Sequence, residues 1–129
     1  MTTYDVLYIG NFTKDTIVSP AGTRYVDGGA VNYAAHAARR LGAKAVVVMH
    51  IAREDDRVVK KFNEAGIDCY PTYTPSSTLM KLDYPTTDPD IRTLSVKATA
   101  GTIIPKGTRL TPRPAQIPAV APFIRRLVI

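Results

Sequence analysis

The sequence has one cysteine, no tryptophan and no long apolar run. Cys69 is the only cysteine among 129 residues, which excludes an internal disulfide and suits a reducing compartment. No apolar run approaches the roughly 20 residues that a membrane-spanning helix needs. The first residues also lack the basic and apolar blocks of a signal peptide. We therefore expect a cytoplasmic protein that does not interact with membranes.

Several motifs of well-understood chemistry are also missing. There is no GxxxxGK[ST] loop, and no GxGxxG followed about 20 residues later by an acidic residue, so neither a P-loop nor a dinucleotide site is predicted. His36 and His50 have no cysteine or histidine partners at metal-ligand spacing, so no metal site is expected. We interpret each as a helix-surface or strand-end histidine. No serine lies in a GxSxG motif, which leaves a hydrolase triad unsupported.

What is present describes one globular domain with unevenly distributed charge. The hydrophobic content of 45% and the mean hydropathy of -0.06 are typical of a globular chain. The net charge is +6, yet residues 1–90 hold 10 basic and 11 acidic residues, whereas seven basic and no acidic residues follow Asp90. These basic residues are scattered among prolines without interleaved aromatic residues. We therefore do not expect nucleic acid as a partner.

Alternating strand and helix patterns predict a parallel α/β core. Apolar runs indicate buried strands at Tyr4–Ile9, Ala45–Ile51 and Ile67–Tyr73. A helix begins at Ala30, between the first two runs, and a strand–helix–strand unit of this kind joins parallel strands. Its predicted apolar face consists of Val31, Ala34, Ala35, Ala38 and Leu41.

A second helix is predicted after the second of these strands. Asp55 and Asp56 are expected to cap its first turn, and Gly66 is expected to end it. Its predicted buried side consists of Val58, Val59, Phe62 and Ala65.

Two further segments have the pattern of antiparallel hairpins. Thr16–Val18 and Thr23–Val26 flank the turn residues Ser19-Pro20-Ala21-Gly22. Apolar and polar residues alternate in Leu79–Tyr84 and again in Leu94–Ala98, as in strands with one exposed face. The patterns alone therefore support an α/β fold with a small β subdomain.

The last third of the chain is rich in proline. Five prolines interrupt Ile104–Phe123, which allows at most one short helical turn there. Ile124–Ile129 has the composition of a strand.

The stretch Asp27–Ala43 carries the strongest indication of a ligand site. Gly28 and Gly29 lack a Cβ, so a ligand could approach the main chain closely. The helix that follows presents its free N–H groups and the positive end of its dipole at this point. The alternative is a tight turn into an alanine-rich packing helix, and the stretch alone does not decide between the two.

Over nearly its full length the chain resembles the first part of a ribokinase-like (PfkB-type) carbohydrate kinase. The matching segments are, in order, Ile9–Asp15, Gly28-Gly29, Arg40–Ala43, Val46–Val48, Glu54–Asp56, Ala65–Asp68, Thr87–Asp90 and Arg92–Val96. The resemblance implies a parallel Rossmann-type core with a small antiparallel β lid. In this interpretation residues 1–129 are the N-terminal part of a single, incomplete ribokinase-like domain. Lid strands near 16–27 and 78–99 are then inserted in the α/β core.

The resemblance also implies residues that hold the substrate. Asp15 matches the family's sugar-contacting aspartate, which can accept two hydroxyl hydrogen bonds, and Thr13 matches a polar contact; a turn-capping role is the alternative for Asp15. The family's asparagine, five residues after the first glycine, falls on Tyr33, with Asn32 one place earlier, and either could reach the ligand. The predicted substrate-binding residues are Asn11, Thr13, Asp15, Gly28, Gly29, Asn32 and Tyr33. Thr78 and Lys81, in the predicted lid, are weaker candidates.

The family's second signature, a Gly-rich Asp-Thr-x-Gly-Ala-Gly-Asp run, is absent from this sequence. In the family that run supplies the catalytic base and the groups that approach ATP. The implied function is thus the sugar-binding part of a sugar or nucleoside kinase that transfers the γ-phosphoryl group of Mg-ATP to a hydroxyl. No catalytic residue is assigned, tight cofactor binding is not expected, and the chain alone should be inactive. A homodimer formed through the lid is also implied.

Two other functions remain open. A non-catalytic module could use the same pocket to bind a small molecule or to dimerise. A lone nucleotide-binding domain is the third possibility. The sequence does not identify the sugar or the phosphorylated hydroxyl.

Overall fold

The computed structural model describes residues 3–103 and the strand at 127–128, and its secondary structure forms two four-stranded sheets. The first sheet has the order β5-β4-β1-β8 and is parallel throughout. Its strands are β1 (Val6–Ile9), β4 (Ala45–Ala52), β5 (Asp68–Thr74) and β8 (Leu127–Val128). The three apolar runs therefore form the predicted strands, in the predicted parallel arrangement. A strand within Ile124–Ile129 is confirmed at 127–128, and the prediction for the proline-rich segment lies outside the described residues.

Two helices connect the strands of the first sheet. Helix α1 (Ala30–Arg40) joins the second sheet to β4, and α2 (Arg57–Glu64) follows a 3₁₀ turn at Arg53–Asp55. Both α-helices end with a main-chain hydrogen bond between residues five positions apart: Ala43 N donates to Ala38 O, and Ile67 N donates to Phe62 O. Glycines with positive φ, Gly42 at 89° and Gly66 at 77°, make this left-handed turn possible.

The core lies between the helices and the first sheet. All eight residues of β4 are buried. Val47, Met49 and Ile51 pack in the cluster that includes the helices. Val46 and Val48 pack with Tyr4 and Leu7 in a second cluster. Phe62 of α2 and Ile67 are fully enclosed. The apolar residues that meet there include Val31, Ala35, Val47, Met49, Ile51 and Val58.

One prediction for α1 is wrong, and another is incomplete. Leu41, assigned to the apolar face, is 88% exposed, since the helix has already ended at Arg40. His36, assigned to the helix surface, stacks on Phe62 with 5.0 Å between ring centroids. The partner of His36 comes from α2, so the periodicity of α1 gives no sign of it.

The second sheet has the order β3-β2-β6-β7. Strands β2 (Thr13–Ser19) and β3 (Gly22–Gly28) form the first predicted hairpin, and β6 (Thr78–Asp83) and β7 (Thr93–Ala98) form the other. Both hairpins are confirmed, and the first is longer than predicted. The sequence did not indicate that β2 pairs in parallel with β6, which joins the two hairpins into one sheet.

Candidate functional site

The candidate site lies where the chain passes from the first sheet into the second. Gly10, Asn11 and Phe12 connect the end of β1 to β2, and Phe12 is fully buried. Thr13 then pairs with Gly28 of β3, while Asp15 pairs with Val26 of β3 and with Met80 of β6. The carboxyl end of a parallel strand is a common ligand position in open α/β sheets.

Asp15, Thr13 and Gly28 form one cluster. A Cβ on Gly28 would lie 2.1 Å from Asp15 Oδ2 and 2.6 Å from Thr13 Oγ1. Any larger residue at this position would force these two side chains to move, because they occupy the space that a Cβ would take. Asp15 Oδ1 is buried, and no group among the described residues donates a hydrogen bond to it. An unpaired buried acceptor costs about 1–3 kcal/mol, so a donor group placed here would be favourable.

Gly29 is required by the main chain around it. Its φ is 97°, and a Cβ would lie 2.7 Å from the carbonyl oxygen of Asn11 and 3.2 Å from the nitrogen of Thr13. The space beside both glycines is thus taken up by the chain itself. The missing Cβ atoms allow the end of β3 to pack closely against β2 and against the segment that precedes it.

The Asn11 side chain connects three segments. Its Nδ2 donates to Gly101 O at 2.7 Å, and its Oδ1 accepts from the main-chain N–H of His50 at 3.0 Å. His50 Nδ1 is in turn 3.1 Å from Ala100 O. Both ends of the Asn11 amide are therefore used in holding β1, β4 and the segment after β7 together.

Asn32 and Tyr33 both point toward the end of β3. Asn32 Nδ2 donates to Asp27 O at 3.2 Å, and the Tyr33 hydroxyl donates to the same oxygen at 3.4 Å. Asn32 is buried, whereas Tyr33 is 59% exposed. The predicted set is thus divided between a cluster around Asp15 and a pair on the first turn of α1.

A cavity of about 660 Å³ lies against the second sheet, and we call it the Asp15 cavity. Three ion pairs connect Asp27 and Lys14, in its walls, to residues at or just before the start of α2. Both carboxylate oxygens of Asp27 accept from Arg57 at 2.6 and 2.7 Å, and Lys14 lies 3.0 Å from Asp55 and 3.1 Å from Glu54. The residues that line the Asp15 cavity are Lys14, Asp15, Thr16, Tyr25, Val26, Asp27, Asp55, Arg57, Leu79, Met80 and Lys97. Lys81 is not among these residues, and Thr78 is buried with its Oγ1 accepting from Ala100 N.

Asp55 and Asp56 do not cap α2, because neither carboxylate bonds to its free N–H groups. Asp55 is buried and accepts from Ser77 Oγ at 2.6 Å, while Asp56 accepts from the Tyr73 hydroxyl. Ser77 Oγ also accepts from Ala52 N at 2.9 Å. The sequence missed this arrangement because Ser77 lies far away along the chain.

The ion pair with Arg57 changes the titration of Asp27. The hydrogen bonds from the guanidinium lower the pKa of the Asp27 carboxyl, against the opposite effect of burial. The carboxylate is therefore charged at neutral pH, and Arg57 offsets that charge. This pairing fixes the end of β3 immediately before Gly28.

The described residues 3–103 and 127–128 contain no helix long and apolar enough to cross a membrane. Within the same residues, no group of three or more potential metal ligands comes together.

Comparisons with known proteins identify the fold. No family model matches the chain, and no curated protein matches it. Among solved structures, a pyrophosphate-dependent kinase in the ribokinase family, determined as a sulfate complex, has 25% sequence identity and a TM-score of 0.70, covering 78% of this chain and 35% of that one. A pyrophosphate-dependent kinase of that family, complexed with a pyrophosphate analog and myo-inositol, has 22% identity and a TM-score of 0.67, covering 77% and 34%. Fructokinase from Xylella fastidiosa has 21% identity and a TM-score of 0.60, covering 74% and 34%.

The predicted resemblance to ribokinase-like, PfkB-type kinases is thus confirmed, as is the fold class. The chain has a mixed α/β fold that corresponds to an N-terminal part of the ribokinase fold. It spans about a third of the length of the solved structures that it matches.

Proposed function

We propose that this chain, which has the fold of the ribokinase family, is the part of a cytoplasmic sugar, polyol or nucleoside kinase that binds the phosphate acceptor. Asp15 would accept hydrogen bonds from two acceptor hydroxyls. Thr13 lies beside it, and Asn32 and Tyr33 bond to the main-chain oxygen of Asp27, a residue in the wall of the Asp15 cavity. The whole kinase would transfer a phosphoryl group to one hydroxyl of this acceptor.

The observation that carries the proposal is the buried Oδ1 of Asp15, which has no hydrogen-bond partner among the described residues. A carboxylate oxygen accepts hydrogen bonds and cannot donate them, so the hydrogen-bond partner of Asp15 Oδ1 must be a donor. Hydroxyl groups of a sugar or polyol meet this need with charge-assisted bonds. A related kinase was solved with myo-inositol, so we place myo-inositol first among the compounds to test, before hexoses, pentoses and nucleosides.

The phosphoryl donor is a separate part of the proposal. The family resemblance implies Mg-ATP, whereas two of the similar structures are pyrophosphate-dependent kinases. The signature that would supply the base and the donor site is absent from the sequence. We therefore expect no phosphoryl transfer by the 129-residue chain with either donor. Turnover that co-purifies with this chain through two chromatographic steps would contradict this.

Replacing Asp15 tests the acceptor site. Asp15→Asn keeps the shape of the side chain and removes its charge, so affinity for the best acceptor should fall about ten- to hundredfold. Isothermal calorimetry measures the affinity after a thermal-shift screen has selected the acceptor. Asp83→Asn is the matched control, because Asp83 lies in the same sheet and its side chain is 45% exposed. Equal affinities for the wild type and Asp15→Asn would refute the assignment.

A binding or dimerisation module remains the second candidate, and one observation favours dimerisation. Leu94 and Val96 of β7 are 55% and 59% exposed, and they pair with Leu82 and Met80 of β6. Residues paired across strands share a sheet face, so the second sheet has an apolar face that a second copy of the chain could cover. Sedimentation velocity should show a dimer, and Val96→Lys should shift it toward the monomer. A wild-type monomer at about 100 µM would refute the dimer.

A further inference from the structure

A second cavity lies between the two helices, on the other side of Asp27 from the Asp15 cavity. It has a volume of about 620 Å³, and we call it the His36 cavity. Six of its lining residues come from α1 or directly follow it, and Lys61 comes from α2. The lining comprises Asp27, Asn32, Tyr33, His36, Ala37, Arg40, Leu41 and Lys61.

The charge of this cavity is positive. Neither Arg40 nor Lys61 forms an ion pair with any residue within the described part of the chain. The acidic residue in the lining, Asp27, is already neutralised, because Arg57 donates to both of its carboxylate oxygens. Two positive charges therefore face the cavity without a matching negative charge.

His36 adds an unsatisfied polar group. Its ring stacks on Phe62, and its Nε2 is buried without a hydrogen-bond partner among the described residues. Burial lowers the pKa of His36, and the charges of Lys61 and Arg40 lower it further. Both basic side chains are thus close enough to act on the imidazole. The Tyr33 hydroxyl lines the same cavity and already donates to Asp27 O.

We propose that the His36 cavity binds the phosphate group of a small phosphorylated compound, held by Arg40 and Lys61 beside the ring of His36. A phosphate needs several donors and positive charge, and the guanidinium and ammonium groups provide both. The volume leaves room for the rest of a sugar phosphate or a nucleoside monophosphate. The exposed Tyr33 ring and the exposed Leu41 offer that part an apolar surface. Asn32 and Tyr33 line this cavity as well, but Arg40 and Lys61 have no part in the acceptor site, so the proposal does not depend on the proposed kinase function.

Binding of an anion should change the titration of His36. The groups that face or act on the ring are Lys61 and Arg40, with Asp27 and Tyr33 in the same cavity. A bound dianion offsets the two positive charges and favours the imidazolium, so the pKa of His36 should rise. By linkage, the anion should bind more tightly as the pH falls through this pKa.

The test is an NMR titration of the full chain, following the His36 ring signals with added inorganic phosphate at constant ionic strength. Sulfate, a tetrahedral dianion that does not titrate near neutral pH, replaces phosphate for the pH series. We expect a saturable response and a raised His36 pKa, which sodium chloride does not produce. A sugar phosphate and adenosine monophosphate, tested as separate arms, show which kind of phosphorylated compound binds more tightly.

Charge variants separate a specific site from general surface attraction. Lys61→Gln should weaken phosphate binding about tenfold, and Arg40→Gln provides a second variant on the other helix. Lys60→Gln is the matched control, since Lys60 lies on the same helix, is exposed and does not line the cavity; it should change the affinity less than about twofold. Equal losses in Lys61→Gln and Lys60→Gln, or no phosphate-specific response of His36, would overturn the proposal.

Discussion

The two sheets of this molecule have the same number of strands and very different surroundings. In the first sheet every residue of β4 is buried. In the second sheet four of the six residues of β7 are exposed, and among them are Leu94 and Val96. Helices of the same chain pack against one face of the first sheet. The second sheet has an apolar face, and its Asp15 has a buried carboxylate oxygen with no hydrogen-bond partner in the described part of the chain. Our binding proposals therefore centre on this sheet.

This difference predicts that core substitutions affect stability far more than substitutions in the second sheet. Phe62→Ala removes a fully enclosed ring that packs in the core and stacks on His36, and it should lower the free energy of unfolding by about 3–5 kcal/mol. Leu94→Ala, at a half-exposed position, should cost less than about 1 kcal/mol. Urea denaturation of both variants measures the difference. Similar costs would mean that the second sheet is as important for stability as the core.

A smaller effect is expected where the two sheets are linked. Asp55 is buried, accepts from Ser77 and pairs with Lys14 of β2. Asp55→Asn weakens both contacts, so the free energy of unfolding should fall by about 1–3 kcal/mol.

The control for this link is Glu54→Gln, because the Glu54 side chain pairs with the same lysine but is 75% exposed. An exposed pair contributes little, so this variant should remain within about 0.5 kcal/mol of the wild type in the same urea experiment. Equal effects of the two substitutions would show that the buried contact with Ser77 is unimportant.

The smallest expected effect is the pH dependence of the Asp27–Arg57 pair. The guanidinium lowers the pKa of Asp27 in the folded chain, so the pair stabilises the fold above the carboxyl's ordinary pKa of about 4. This contribution is lost as the pH falls through the lowered value. The Arg57 side chain is 57% exposed, so the contribution should stay below about 1 kcal/mol.

Unfolding at pH 7 and pH 3 measures this contribution. The wild type and Asp27→Asn should differ more in their free energies of unfolding at pH 7 than at pH 3. Arg57→Gln should remove the same pH-dependent contribution to the free energy of unfolding. A difference that does not vary with pH would show that the pair does not stabilise the fold.

Local patterns were sufficient to predict most elements of the fold. The apolar run of β4 and the helical spacing of apolar residues in α1 each predict the element without information from the rest of the chain. This is possible because the pattern of buried residues repeats with the period of the strand or the helix. The two hairpins could be predicted for the same reason. The pairing of β2 with β6 could not, since it depends on which of several strand edges meet after the chain has folded.

The candidate site was predictable to a smaller extent. The residue types at Thr13, Asp15 and Gly28 pointed to one position, and the structure does bring them together. Asn11 bonds to Gly101 and to the main chain of His50, and His36 stacks on Phe62. These roles depend on partners far along the chain that no local pattern reveals. The binding role of the seven predicted residues stays a prediction.

The parallel pairing of β2 with β6 also has a consequence for how the protein is made. Thr13 pairs with Thr78, so β2 leaves the ribosome long before the strand that will lie beside it. An isolated two-stranded hairpin is only marginally stable in water, and an uncovered strand edge can pair with another chain. The β2 edge of the β2–β3 hairpin therefore remains unpaired while α1, β4, α2 and β5 are synthesised. During this interval the edge could pair with another chain, and the interval ends when β6 leaves the ribosome and pairs with β2.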